Sequence, residues 1–197
     1  MGCDLGRRRQ ILDAAERLFR EHGPAKTTVA DIAREAAIGI GSVYLEFPSK
    51  DAVVEALSTA RHERVLGAMR AAAGAHRGSC VACFRAVFDA RAREFAAMAA
   101  EGDHGAELVH CAAAGVKSAH ARYLAEERRL VAELLARGVT AGEFAVGDVE
   151  SAAAVVLLAY ASFAPPLLFQ RCGRDAGADL QAMHALVLRG LETRAPG

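Results

Sequence analysis

TTVADIAREAAIGIGSVYLEFPSKD, residues Thr27 to Asp51, is the stretch that decides the fold. Thr28 stands just ahead of an apolar-periodic run, and Asp31 follows three residues later. That is a capping-box variant, in which the hydroxyl accepts from a free helix amide and the acid reaches back to the cap. Val29, Ile32, Ala33 and Ala36 then fall on one face of a short helix. Ala37-Ile38-Gly39 makes a turn. A second short helix is expected from about Ile40 to Leu45, ending near Phe47-Pro48. Ser49 caps a further helix, with Asp51 in its first turn where the helix dipole favours an acid.

Upstream, residues 7 to 22 repeat with helical period. Ile11, Leu12, Ala15, Leu18 and Phe19 share one face, and Asp13, Glu16, Arg17 and Arg20 lie opposite. His22-Gly23-Pro24 stops this helix, since Gly suits the position after a helix end and Pro cannot continue it. Two short helices joined by a tight turn and braced by a longer one make a helix-turn-helix. Val29 and Ile32 would hold the first of the pair against Leu12, Phe19 and Val43. The second keeps an exposed outer side, free to enter a major groove about as wide as a helix. A unit this small barely buries its own core, so it needs the helix beginning at Ser49 as support.

The composition of the 197 residues agrees with an all-α chain. Alanine is abundant, there is no Trp, and 53% of residues are hydrophobic, enough for a sizeable core. The formal net charge is zero. That neither supports nor excludes nucleic-acid binding, which depends on where charge sits. The cysteines, Cys3, Cys80, Cys83, Cys111 and Cys172, are odd in number and no secretory signal opens the chain. The expectation is reduced thiols in a cytoplasmic protein. The most apolar stretch, Ser151 to Gln170, carries Pro165 and Pro166 and reads as a buried or interfacial helix rather than a membrane span.

The stretch from Thr27 to Asp51 resembles the signature of the TetR family of transcriptional regulators (TetR/AcrR type). So does the upstream ILDAAERLF of Ile11 to Phe19, followed by Gly23. The match keeps order and spacing, including Gly41-Ser42-Val43-Tyr44 and Phe47-Pro48-Ser49-Lys50. It implies an N-terminal helix-turn-helix DNA-binding domain over residues 1–48. A larger helical ligand-binding and dimerisation domain would follow over 49–197, with about nine helices in all. By the same resemblance, Thr27 and Thr28 lie at the DNA side of the second helix, Ser42 and Tyr44 bond phosphate oxygens, and Lys50 pairs with a phosphate. Those groups all donate to phosphate and fix register without reading sequence. Arg7, Arg8 and Arg9 make a basic start, with Arg9 taken as the residue reaching the backbone or a minor groove. Gly39, Ile40, Gly41, Ser42 and Leu45 face the bases. That set is poor in hydrogen-bonding groups, which suggests contacts from Ile40 and Leu45 to thymine methyls together with shape readout. Three positions depart from the family pattern. Ala37 stands where Gly is usual, Gly39 where a polar residue is common, and Glu46 where His or an aromatic is usual.

The implied function is a ligand-responsive repressor that binds a palindromic operator in double-stranded DNA as a homodimer and is released by a small molecule. An enzyme is disfavoured, because no phosphate-binding glycine loop, nucleophile elbow or paired metal motif occurs. A regulator that has lost DNA binding is the alternative, on account of Gly39 and Glu46. Further helices are expected at about 49–73, 79–101, 105–115, 117–138, 148–169 and 176–192, with breaks at glycines including Gly115 and Gly138. Candidate effector residues are Arg85, Asp89, His110, Tyr123 and Ser162. Val156, Ala159 and Phe163 supply one apolar surface, and Met183, Leu186 and Val187 another. Sequence leaves open which is interface and which is core. Cys80-x-x-Cys83 with His104, His110, Cys111 and His120 invites a metal reading. No second pair has diagnostic spacing, so no metal and no cofactor is expected.

Overall fold

A computed structural model describes residues 2–76, 78–101, 104–109, 113–170 and 176–192. It is all-α, as expected. The helices are α1 (Gly2–Lys26), α2 (Val29–Glu35), α3 (Ile40–Glu46), α4 (Lys50–Ala75), α5 (Cys80–Ala99), α6 (Ala114–Thr140), α7 (Val149–Ala159) and α8 (Ala176–Leu191). Single 3₁₀ turns lie at Gly105–Leu108, Ala161–Phe163 and Leu167–Gln170. There is no strand among the described residues. The chain divides into two compact units, Met1–Glu63 with Met98–Arg122, and Arg64–Ala97 with Tyr123–Gly197.

The first unit holds α1 to α3 on one core. Ile11, Ala15, Phe19, Ile32, Val43 and Phe47 are all buried there. The three short elements do not close this core alone. Val53, Val54 and Leu57 of α4 complete it, with Leu108 and Val116 from later in the chain. Gly23 breaks α1 at φ 78°, ψ 156°, and one further turn follows through Pro24. Thr28 caps α2 as its sequence predicts. Its hydroxyl accepts from the Asp31 amide at 3.2 Å, and the Asp31 carboxylate accepts from the Thr28 amide at 2.9 Å.

The turn between α2 and α3 is built on Ala37. The Ile38 amide donates to the Ala33 carbonyl at 3.0 Å and the Ala37 amide to the Arg34 carbonyl at 3.1 Å. Those two bonds are a Schellman helix stop, which needs a left-handed residue just past the cap. Ala37 takes that conformation, with φ 52°. Ile38 then packs against the same core as Ala33.

One glycine expected to break the chain does not. Gly115 sits inside α6, where an added Cβ would lie 2.7 Å from the Asp51 carbonyl oxygen and 2.9 Å from Glu55 Cβ. It is a close-approach residue that lets α6 lie against α4, and α6 starts at Ala114 rather than 117. At the break expected from Gly138 to Gly147, α6 ends at Thr140, and the Phe144 ring folds back over Gly138, where it fills the space a side chain would take. Of the helix expected over 105–115, the described residues show the turn Gly105–Leu108 and the first two residues of α6. The helix expected over 148–169 ends at Ala159. Pro165 and Pro166 have no N–H to donate, and Ala164 before them is extended at φ −136°, ψ 162°.

The second unit packs around aromatic rings. Phe88 stacks on Tyr160 with centroids 4.0 Å apart, and Phe84 meets Tyr160 edge-on. The start of α5 is capped from afar, because the Glu143 carboxylate accepts from the amides of Cys80 at 2.9 Å and Val81 at 3.2 Å. These bonds to the charged form hold the Glu143 carboxyl below its ordinary value. A buried ion pair crosses this unit. Arg91 donates to Glu127 at 2.5 Å, Tyr123 donates to the same oxygen, and Arg91 also reaches the Tyr160 carbonyl at 3.3 Å.

Replacing Ala37 by Gly should relieve the left-handed strain and stabilise the protein by roughly 1 kcal/mol. Urea unfolding checks this, and an unchanged or lower midpoint would count against it. Thr28→Ala should lower stability by about 1 kcal/mol through loss of the cap. The Thr28 bonds hold the Asp31 carboxyl below its ordinary 3.8. A carboxylate with a lowered folded pKa stabilises fully above its unfolded value, and loses that contribution as pH falls through the folded one. The gap between Thr28→Ala and wild type should therefore narrow in acid, where the bond from the Thr28 hydroxyl to the Asp31 carboxylate is lost but the one it accepts from the Asp31 amide remains. Equal stability of the two at neutral pH would exclude the cap.

Candidate nucleic-acid interface

With about 100° between successive helical residues, the seven positions of α3 sort cleanly into faces. Val43 is buried and anchors the helix to the core. Diametrically opposite, Gly41 and Leu45 centre the outward face. Ile40 and Tyr44 form one flank, and Ser42 and Glu46 the other. Ile40 and Tyr44 are about half exposed, and Leu45 is 81% exposed. Gly39 caps α3 in extended backbone at φ −68°, ψ 142°, with no side-chain hydrogen bond. Glu46 borders a groove together with Arg8, Leu12, Phe47 and Ala52. Its carboxylate is thus at the α1 and α4 side of α3, away from the Leu45 centre.

Other residues singled out from sequence have internal partners. The Thr27 side chain is buried and donates to the Gly23 carbonyl at 3.0 Å. The Thr28 hydroxyl is engaged with Asp31. The Lys50 ammonium donates to the carbonyls of Pro24 at 2.9 Å and Thr27 at 3.1 Å, tying the start of α4 to the link between α1 and α2. Arg9 is exposed, 3.9 Å from Asp13.

Two further positioning residues were missed in sequence. Arg8 donates to the Glu46 carbonyl at 3.3 Å, and its guanidinium lies 4.2 Å over the Phe47 ring. It thereby holds the C-terminal end of α3. The Gln10 amide donates to the Ala36 carbonyl at 2.7 Å and so holds the end of α2. Their location on the first exposed turns of α1 gave no sign of either contact.

In the second unit, Asp89, Arg93, Phe163, Leu168, Leu180 and Gln181 help line an open cleft of about 320 Å³. Asp89 accepts from His184 Nε2 at 3.0 Å and from Gln181 at 3.3 Å. His184 Nδ1 lies 2.6 Å from the Tyr160 hydroxyl, so the imidazole bridges Asp89 and Tyr160. The Tyr160 phenol is pushed up, first by burial. Of the described candidate effector residues, Arg85 and Asp89 both act on the Tyr160 phenol. Asp89 lines the cleft, whereas Tyr123 is buried against Glu127, Arg85 is half-buried on α5, and Ser162 sits in the turn Ala161–Phe163. His110, like Cys111 and Cys172, lies outside the described residues.

Cys80 and Cys83 are buried, and burial pushes both thiols up. Among the described residues, no three of His, Cys, Asp or Glu gather as metal ligands do. Also among them, no helix is long and apolar enough to cross a membrane.

The two apolar surfaces of α7 and α8 separate into core and exposed face. Val156 and Phe163 point inward and are buried, so within one chain they are core. Val155, Leu158 and Leu186 are exposed, Leu158 at 75% and Leu186 at 69%. Ala159, Met183 and Val187 are half-buried beside them.

Residues 11–57 match the model of bacterial regulatory proteins of the tetR family, and residues 81–183 match that of the tetracyclin repressor-like C-terminal domain. The HTH-type transcriptional regulator TtgR of Pseudomonas putida is 46% identical over 56 residues, 28% of this chain and 27% of that protein. The HTH-type transcriptional repressor KstR2 of Rhodococcus jostii is 50% identical over 50 residues, 25% of this chain and 24% of that protein. The match thus spans about a quarter of the length of these curated relatives. The fold is like that of the fatty acid degradation regulator FadR from Bacillus halodurans. That comparison has a TM-score of 0.72 at 23% identity, over 92% of this chain and 94% of that one. With the C-terminal model alone covering residues 81–183, the chain belongs to the TetR family of bacterial regulatory proteins.

Proposed function

We propose that this chain is a DNA-binding transcriptional repressor that grips a palindromic operator as a dimer and lets go when a small molecule binds. One observation carries the reading. A seven-residue helix with its outer face bare, α3, stands on a three-helix scaffold within the region that matches the tetR-family model. Residues 1–48 are the DNA-binding head and 49–197 the ligand-binding and dimerisation part. In this reading the Tyr44 and Ser42 hydroxyls on the two flanks of α3 bond phosphate oxygens, and Arg9 reaches the backbone beside them. Lys50 acts first by fastening the links of the head. Its charge adds to the attraction for phosphate without being the reader of it.

One recognition helix gives little affinity, and a twofold dimer doubles the contacts on a palindrome. The exposed apolar face of Val155, Leu158 and Leu186, with Ala159, Met183 and Val187 beside it, supports pairing of α7 and α8 with a second copy. The name of KstR2, a repressor, supports repression here. The apolar walls of the Asp89 cleft support a small effector with an apolar body and one polar group. Its binding would favour a dimer whose two α3 helices no longer match grooves about 34 Å apart. Helix α4 joins the head to the remainder of the chain and is the element through which that change would pass.

A mobility shift on the DNA upstream of the protein's own gene, repeated across salt, tests the central reading. Binding should weaken steeply with salt. Tyr44→Phe should lower affinity about tenfold on specific and non-specific duplexes alike, because a phosphate bond carries no sequence information. No retardation of any DNA at low salt would sink the proposal. Leu158→Glu should turn a micromolar dimer into a monomer by light scattering after gel filtration, and a dimer of unchanged tightness would exclude this face.

A further inference from the structure

Resting on the DNA-binding reading, the middle of α3 must discriminate bases with what Gly41 and Leu45 present. Each base pair shows the major groove its own set of acceptors, donors and methyl groups. Guanine is read by donors to O6 and N7, adenine by a paired donor and acceptor, cytosine by an acceptor for its amino group. Gly41 has no side chain and Leu45 offers only carbon. Of the groups on the groove floor, only the thymine C5-methyl is complementary to this surface. The hydroxyls of Ser42 and Tyr44 lie on the flanks, where phosphates rather than base edges run.

Gly41 strengthens the case. Glycine weakens a helix relative to alanine, so its presence at the centre of a seven-residue helix calls for a reason. No protein atom lies within 4 Å of where its Cβ would be, so the reason is not packing within the chain. A bare backbone at the centre of the outward face lets α3 come closer to a partner than any side chain would. Leu45, one turn on, is then pushed against the groove floor. An almost fully exposed leucine next to exposed Ile40 and Tyr44 is the kind of apolar patch that marks a binding surface.

We propose that Leu45 reads thymine C5-methyl groups. The operator half-site then carries thymine beneath the centre of α3, and Gly41 supplies the close approach. The test begins with selection of preferred duplexes from a random pool by the full-length protein. Deoxyuridine then replaces each thymine of the selected site in turn. Uracil keeps every hydrogen-bonding group of thymine and lacks only the methyl. One or two positions per half-site should each lose about fourfold in affinity, the weight of one buried methyl group. Leu45→Ala should bind the uracil and thymine forms of at least one of those positions equally. The exposure of Leu45 makes this variant safe for the core, and the uracil series on wild type needs no variant. Wild type indifferent to every uracil replacement would overturn the proposal, as would Leu45→Ala keeping the full penalty throughout. Failure to bind any DNA at low salt would instead overturn the DNA-binding reading itself, and this proposal with it.

Discussion

A seven-residue helix does not persist alone in water, where about 12 to 15 residues are needed even for good formers. α3 is seven residues long, so every degree of its orientation is imposed from outside. Three attachments do it. Val43 plugs the core on the inner side, the Ala37 stop fixes the entry, and Arg8 with buried Phe47 fixes the exit. Each attachment is itself held. Gln10 ties the end of α2, Thr28 and Asp31 secure its start, and Lys50 clamps the link between α1 and α2 to the start of α4. Most polar side chains of the head that the family pattern assigns to DNA are thus first used to aim one short helix. A left-handed alanine in that chain of supports marks where stability was yielded for direction.

The sequence made the head legible because its signals are local. A cap three residues from its acid, a helix stop at Gly23 and a 3.6-residue apolar period need no knowledge of the rest of the chain. The left-handed turn was readable too, as a position where glycine is usual. What sequence hid was tertiary. Gly115 has the look of a break, yet it is demanded by the Asp51 carbonyl and Glu55 from far upstream. Gly138 is likewise explained only by Phe144 folding back. The apolar run of α7 gave no means to tell Val156, inside, from Val155, outside. One residue of slip on a helix turns a side chain by about 100°, and the partner surfaces decide which way is in.

The same limit applies to the charges. Zero net charge looks like an obstacle to the proposed DNA binding until the arginines are followed to their partners. Arg61 is buried beside Glu16 and Glu101, Arg91 beside Glu127. Arg17 meets Glu35, Arg64 meets Glu94, Arg70 meets Glu126 and Arg122 meets Glu55, each at 2.8 to 2.9 Å. These pairs join one element to another, often many residues apart. The exposed ones add little stability, while removing one partner of a buried pair would strand a charge. Part of the charge balance of the sequence is therefore a record of cross-links between helices. It carries almost no information about the surface offered to DNA.

In the proposed reading, affinity and discrimination fall to different parts of α3. Phosphate contact needs donors, and the helix has them only on its flanks, in Tyr44 and Ser42. Discrimination needs groups over the groove floor, and there the helix offers Gly41 and Leu45. Such a surface cannot form the bidentate bonds that distinguish guanine or adenine most strongly. Methyl contact is weaker per position, so recognition must be spread over several positions, over both half-sites, and over the shape of the duplex between them. That places a demand on the rest of the molecule. When each half-site is read weakly, the spacing between two copies of α3 becomes the main determinant of occupancy. On that reading a modest change in spacing would suffice to release the operator, which is the sensitivity a ligand-controlled repressor would require.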